Sequence, residues 1–214
     1  MELQASGMLA VCLDLEGILV PEVWINVAER TGIDALRRTT RDEPDYDRLM
    51  SYRLQILDEN GITIDDITMV IESMDPLAGA RDFLSSLEIR WPTLILSDTF
   101  SQFAKPLMAK LGNPTLFCHD LVIDDSGRIS DWEIRCEDHK RKTVEALRSM
   151  KFNVIAVGDS YNDTTMLGEA STGILFNPPE NVISEFPQFS MANDYMGLME
   201  AIESAASDLG EHWQ

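Results

Sequence analysis

The stretch Leu9-Ala-Val-Cys-Leu-Asp14 decides the fold. Five apolar residues in succession show no polar alternation, and the run is short and closed by a carboxylate. Such a segment reads as a strand buried on both faces, the mark of a parallel sheet. Two further runs share the design: Thr93-Leu-Ile-Leu96 ends at Ser97, and Val154-Ile-Ala-Val157 ends at Gly158-Asp159. In an open α/β sheet, ligands bind beyond the carboxyl ends of the strands. The three runs therefore predict an α/β fold with a Rossmann-like parallel sheet that brings two carboxylates and a hydroxyl to one site.

Between the first two runs the pattern is helical. Val23, Trp24, Val27 and Ala28 recur near helical period from Pro21 to Gly32. A second helix is expected from Asp45 to Glu59, stopped by Asn60-Gly61, and Thr63 with Asp66 forms a capping-box pattern for a third. No strand pattern occurs over 21–74, so this region reads as a helical insertion, with core segments 1–16 and 75–214 around a small cap at 17–74. Further on, Asp75-Pro76 is read as opening a helix through Leu87, and Phe100–Leu111 as a helix with Pro106 inside it. Residues 117–136 read as a hairpin turning at Asp125-Ser126-Gly127. A helix over His139–Met150, a strand over Gly173–Phe176 and a helix over Tyr195–Ala206 complete the reading. Trp24 fits burial in the core better than the alternative, packing on a second subunit of a homodimer.

Composition narrows the function. The chain has 214 residues, 44% of them hydrophobic, enough for a sizeable core. Its net charge of −20 argues against nucleic acid and anionic membrane as partners. An anionic substrate would have to be drawn in by a local positive site. Three scattered cysteines, Cys12, Cys118 and Cys136, have no metal-type spacing and suit a reducing compartment. Met1–Gly7 lacks a signal-peptide pattern and no apolar run reaches a membrane span, so a cytoplasmic location is expected.

Four constellations carry chemistry. Asp14-Leu-Glu16-Gly17 sets two carboxylates just after a strand; one can attack phosphorus and the other can move protons. Taken alone, the pair fits a metal site or a simple turn better than this chemistry. Gly158-Asp159-Ser160-Tyr161-Asn162-Asp163 gathers hard oxygen donors suited to Mg²⁺, with Asp163 read either as a helix cap or as a support behind the ligands. Ser97-Asp98-Thr99, placed before a helix, reads as a phosphate cradle or as a simple cap. Lys140, in the basic cluster His139-Lys-Arg-Lys142, sits at a helix start, against the helix dipole. Phosphoryl transfer to a carboxylate needs such a cation, because an anionic nucleophile repels a phosphate dianion; a solvated cluster is the plainer alternative.

The order Asp14-Leu-Glu16-Gly17, Ser97, Lys140, Gly158-Asp159-x-x-Asn162-Asp163 resembles the four motifs of the haloacid dehalogenase superfamily. The helical insertion resembles that superfamily's small α-helical cap. Within it the chain is most similar to phosphoserine phosphatases, and in Leu96-Ser-Asp-Thr-Phe100, Gly158–Met166 and Gly173-Ile-Leu-Phe176 to their bifunctional variant, which also transfers phosphate to homoserine. The resemblance implies Asp14 as nucleophile and Glu16 as acid/base, with the Glu16 backbone carbonyl among the Mg²⁺ ligands beside Asp14 and Asp159. It implies Ser97 and Lys140 as phosphate binders, Asp98 and Asn162 on the substrate side, Asp163 in support, and Glu22 and Arg53 holding the ammonium and carboxylate of an amino acid. Two departures are plain: Glu16 stands where most members have Asp, and Asp98-Thr99 where they have a Gly pair. The expected activity is Mg²⁺-dependent hydrolysis of O-phospho-L-serine through an aspartyl-phosphate, with homoserine as a second acceptor. A phosphatase of another small metabolite and an inactive phospho-ligand-binding domain are the rivals. Glu22 and Arg53 speak against a sugar phosphate, and the intact Asp14, Glu16, Lys140, Asp159 set against inactivity.

Overall fold

The computed structural model describes residues 8–39, 42, 43 and 45–210. The sequence reading of Met1–Gly7 falls outside the described residues. Seven strands form one sheet: β1 Leu9–Leu13, β2 Thr93–Phe100, β3 Leu116–Ile123, β4 Ile129–Glu133, β5 Asn153–Gly158, β6 Thr172–Phe176 and β7 Ser190–Ala192. Their spatial order is β4-β3-β2-β1-β5-β6-β7. All neighbours run parallel except the β3–β4 hairpin. β1 is central and every residue of it is buried, which is why its sequence is apolar without alternation. The chain order reverses beside β1, so the ends of β1, β2 and β5 open onto the switch point where such sheets bind ligands.

Helices α1 Val23–Thr31, α2 Tyr46–Glu59 and α3 Ile64–Glu72 fill the stretch between β1 and the remaining core. Their ends follow local chemistry. Gly32 is left-handed after α1, and the Asp45 side chain accepts the Arg48 N–H at the start of α2. Thr63 and Asp66 form a complete capping box on α3. Trp24 is 8% exposed and packs edge-on against Phe103, so core burial is the reading that holds. Buried residues of these helices join the strand residues in one hydrophobic cluster. The β3–β4 turn reaches the same helices: the Ile64 N–H donates to the Gly127 carbonyl at 2.9 Å and Arg128 pairs with Asp58.

Helices α4 Ala80–Arg90, α5 Ser101–Leu111, α6 His139–Ser149, α7 Thr164–Glu169, α8 Glu180–Glu185 and α9 Tyr195–Asp208 pack around the sheet. Two expectations need correction. Asp75-Pro76 does not open a helix; α4 begins at Ala80, after Gly79 at φ 86° resets the chain. β2 does not stop at Leu96 but runs to Phe100, with a register shift against β3 between those residues. The sequence reading also passed over α8 and the short edge strand β7, both too brief to show a period. Among the described residues no helix is long and apolar enough to cross a membrane.

Candidate active site

Asp14 follows β1 directly and is 6% exposed; its backbone N–H donates to the Val157 carbonyl of β5 at 2.9 Å. Lys140, in the first turn of α6, is 5% exposed. Its Nζ lies 2.9 Å from Asp14 Oδ1, 2.9 Å from Asp163 Oδ1 and 3.3 Å from Asp98 Oδ2. The reading of Lys140 as a solvated surface charge therefore fails. Burial alone would lower its pKa, but Asp14, Asp163 and Asp98 together hold it well above the usual lysine value. Lys140 is thus a fixed ammonium at the heart of an acidic protein.

Asp163 is fully buried and uses both oxygens on protein hydrogens: Oδ1 on Lys140, Oδ2 on the backbone N–H groups of Asp159 and Ser160 at 3.0 and 3.2 Å. That supports the second of its two sequence readings, a brace for the loop after β5, together with the capping box it forms with Ser160. Gly158 makes this possible. A Cβ there would stand 2.3 Å from the Asp163 Cβ. Gly17, at φ +78°, does the same for Asp159, whose Oδ2 would lie 2.4 Å from a Gly17 Cβ.

Carboxylate oxygens of Asp14, Asp159 and Asp163 lie within 4.8 Å of one another. The Asp14 carboxyl is pushed well above the usual range, first by burial and then by the charge of Asp163, with Lys140 pulling it back. A small hard cation fits such a set of oxygens. Both Asp163 oxygens are engaged by protein hydrogens, Oδ1 by Lys140 and Oδ2 by the loop amides.

Glu16 turns away from this cluster. Its Oε2 accepts the Val23 N–H at 2.9 Å, at the start of α1. Its carboxyl is pushed up to about 8, by burial first and then by the neighbouring Glu22. A carboxyl in that range is protonated at neutral pH and can donate a proton. Its side chain is not one of the clustered cation ligands; the resemblance assigns only its carbonyl to the metal.

The other wall of the cleft comes from the α1–α2 region. Arg53 is 6% exposed, against expectation for a lone arginine on a helix. Its guanidinium lies over the Trp24 ring, 4.5 Å from the centroid, and Nη2 donates to the Arg38 carbonyl at 2.9 Å. Its Nε is buried with no hydrogen-bond partner among the described residues. Burial pulls its pKa down to about 10 against the raising effect of Tyr46, Glu16 and Glu22. Glu22, exposed, lines the same cleft.

A cavity of about 350 Å³ joins these parts; Asp14, Glu16, Glu22, Arg53, Ser97, Asp98, Lys140, Asp159 and Asn162 all line it. Every sequence-predicted site residue thus reaches one cleft except Asp163, which braces it from below. Ser97-Asp98-Thr99 is not a helix start, because β2 continues through it; Ser97 Oγ instead accepts the Thr99 N–H at 3.2 Å. The Asp98 carboxylate faces Lys140, His139 and His119. Sequence reasoning missed Tyr46, whose hydroxyl donates to the Asp98 carbonyl at 3.1 Å, and the two histidines behind Asp98. The tyrosine carries no motif. His139 was visible only as the neighbour of Lys140.

A buried carboxylate–ammonium pair thus sits at the switch point of a mostly parallel sheet and faces a cleft walled by a helical insertion. The chain belongs to the haloacid dehalogenase-like hydrolases, whose family model matches residues 9–171. It is 57% identical over 196 residues to phosphoserine phosphatase ThrH of Pseudomonas aeruginosa, covering 92% of this chain and 96% of that protein. It is 52% identical over 208 residues to a phosphoserine phosphatase of Pseudomonas syringae pv. tomato, covering 96% and 88%. Among solved structures, an apo phosphoserine phosphatase superposes with TM-score 0.73 at 20% identity, covering 92% of this chain and 98% of that one. A phospho-aspartyl intermediate analogue of phosphoserine phosphatase gives 0.74 at 18%, covering 91% and 99%. At these identities the structural likeness speaks for the fold.

Proposed function

We propose that this protein is a Mg²⁺-dependent phosphoserine phosphatase that works through an aspartyl-phosphate on Asp14 and also passes the phosphoryl group to L-homoserine. The observation that carries the reading is the polarity of the cleft. From the core, Lys140 and Asp14 bring a buried pair 2.9 Å apart; from the helical insertion, Arg53 and Glu22 bring a cation and an anion to the same cleft. Phosphoserine has the matching layout: a dianion at one end, an ammonium and a carboxylate at the other.

In this reading Lys140 and Ser97 hold the phosphoryl group while Asp14 Oδ attacks phosphorus and the bond to the serine oxygen breaks. Glu16, protonated, gives its proton to that leaving oxygen and then takes one from the attacking water or alcohol. Water yields inorganic phosphate and restores Asp14. The Arg53 fork suits the substrate carboxylate, Glu22 its ammonium, and Asp98 and Asn162 stand on the substrate side. Mg²⁺, held by Asp14, Asp159 and the Glu16 carbonyl, would supply charge neutralisation between dianion and carboxylate. Asp163 keeps Lys140 and the Asp159 loop in place. Residues 17–74 serve as a specificity cap over a core of 1–16 and 75–214.

The identities to two phosphoserine phosphatases over nearly the whole chain support the substrate. The test is a phosphate-release screen over phosphorylated metabolites with Mg²⁺. Phosphoserine is expected to lead it. Preference for a sugar phosphate, or no turnover of any compound, would overturn the reading.

A further inference from the structure

Two of the chain's three histidines lie side by side behind the phosphate end of the cleft. His119 on β3 and His139 at the start of α6 are 2% and 6% exposed, with ring centroids 4.5 Å apart. Both approach one oxygen. His139 Nε2 lies 3.2 Å from Asp98 Oδ1, and His119 Nε2 lies 3.7 Å from it. The Arg135 backbone N–H donates to His119 Nδ1 at 3.3 Å, so a neutral His119 carries its proton on Nε2, the side facing Asp98. His139 Nε2 is buried and has no aligned hydrogen-bond partner of its own.

A carboxylate at this place is a hazard for phosphate binding. Asp98 lines the cleft with 38% of its side chain exposed. Loose beside Lys140, it would repel an incoming dianion and compete for the ammonium. With Oδ1 lying 3.2 and 3.7 Å from the two imidazole Nε2 atoms, it turns only Oδ2 to Lys140. Lys140 has three N–H donors and faces three carboxylates; the contact to Asp98, at 3.3 Å, is the longest and the easiest to exchange for a phosphate oxygen. The Asp98 carbonyl is held as well, by the Tyr46 hydroxyl at 3.1 Å.

We propose that His119 and His139 are positioning residues for phosphate binding: they restrain Asp98 so that its charge stays off the phosphate and its contact with Lys140 gives way to a phosphate oxygen. This rests on the reading of Lys140 as a phosphate binder, and not on which phosphomonoester is the substrate. The arrangement also explains how this chain accommodates an aspartate at the position after Ser97.

The test measures inhibition by inorganic phosphate and turnover of p-nitrophenyl phosphate and phosphoserine, with Mg²⁺, in His119→Leu and His139→Leu proteins checked for folding by circular dichroism. Loss of a restraint of this kind is expected to raise the phosphate inhibition constant and both KM values by roughly tenfold, with kcat changed less. His139→Gln, which keeps an N–H donor, should recover most of the loss. In an Asp98→Asn background the same leucine substitutions should alter the inhibition constant by less than about twofold, because the charge they restrain is gone. If the leucine proteins do not fold, His139→Ala removes the donor with a residue that suits a helix and carries the same expectation. An unchanged phosphate inhibition constant, or equal losses with and without the Asp98 charge, would overturn the proposal. A response to phosphate and p-nitrophenyl phosphate without turnover of phosphoserine would support it while removing the substrate assignment.

Discussion

Glu16 Oε2 accepts the Val23 N–H at 2.9 Å, so the carboxyl two residues beyond the buried aspartate is fastened to the first residue of α1. The carboxyl proposed as the acid thereby belongs to the core in sequence and touches the helical insertion in space. Its raised pKa of about 8, caused by burial and then by Glu22, keeps it protonated at neutral pH. Serine is a poor leaving group without a proton. Glu16→Gln retains an acceptor for Val23 but loses the transferable proton, and is expected to lower kcat for phosphoserine by roughly 10²–10⁴-fold. With p-nitrophenyl phosphate, whose leaving group is stable as an anion, the loss should be much smaller. Equal losses on the two substrates would remove Glu16 from the acid role.

Arg53 tests recognition. It is buried, laid over Trp24 and anchored to the Arg38 carbonyl, and it lines the cleft. Arg53→Ala should lower kcat/KM for phosphoserine by roughly 10–100-fold, the worth of one or two charge-assisted hydrogen bonds. Ethanolamine phosphate, which has the ammonium but no carboxylate, should be nearly indifferent to the change. A uniform loss on both would make Arg53 structural.

Gly158 tests the brace. An alanine Cβ would fall 2.3 Å from the Asp163 Cβ, far inside contact distance. Gly158→Ala is expected to destabilise the fold by about 1–3 kcal/mol in chemical denaturation. It should also displace Asp163 from Lys140 and from the Asp159 loop, so turnover at saturating Mg²⁺ should fall as well. A variant of native stability and full activity would show that Asp163 does not set the site.

The sheet was legible because its central strands are buried on both faces and therefore continuously apolar, and the three helices of the insertion because their apolar stripes carry caps. The edges were not: β7 has three residues and α8 six, too few for either period. The extension of β2 past Leu96 was hidden because its last turn of chain, Ser97-Asp98-Thr99, is polar where it borders the cleft. The motif residues were found by their place after strands, but not their partners. Burial of Lys140 among three carboxylates, the turn of Glu16 toward Val23 and the histidine pair behind Asp98 join segments far apart in the chain, and no local pattern marks them.

Homoserine tests the second acceptor. It is serine with one more methylene and keeps the ammonium and carboxylate that Glu22 and Arg53 suit. A methylene alters binding in a pocket by only ~1–3 kcal/mol, so homoserine should enter once serine has left. ³¹P NMR of enzyme, Mg²⁺, phosphoserine and excess homoserine is expected to show O-phosphohomoserine beside inorganic phosphate. Inorganic phosphate alone would end the transferase reading and leave the phosphatase intact.

The covalent role of Asp14 is tested most directly by phosphate release from phosphoserine in the Asp14→Asn protein with Mg²⁺. An asparagine fits the same space beside Lys140 but cannot form an acyl phosphate. The expected result is a folded protein with no turnover above background. Sustained phosphoserine hydrolysis by folded Asp14→Asn would contradict the aspartyl-phosphate mechanism.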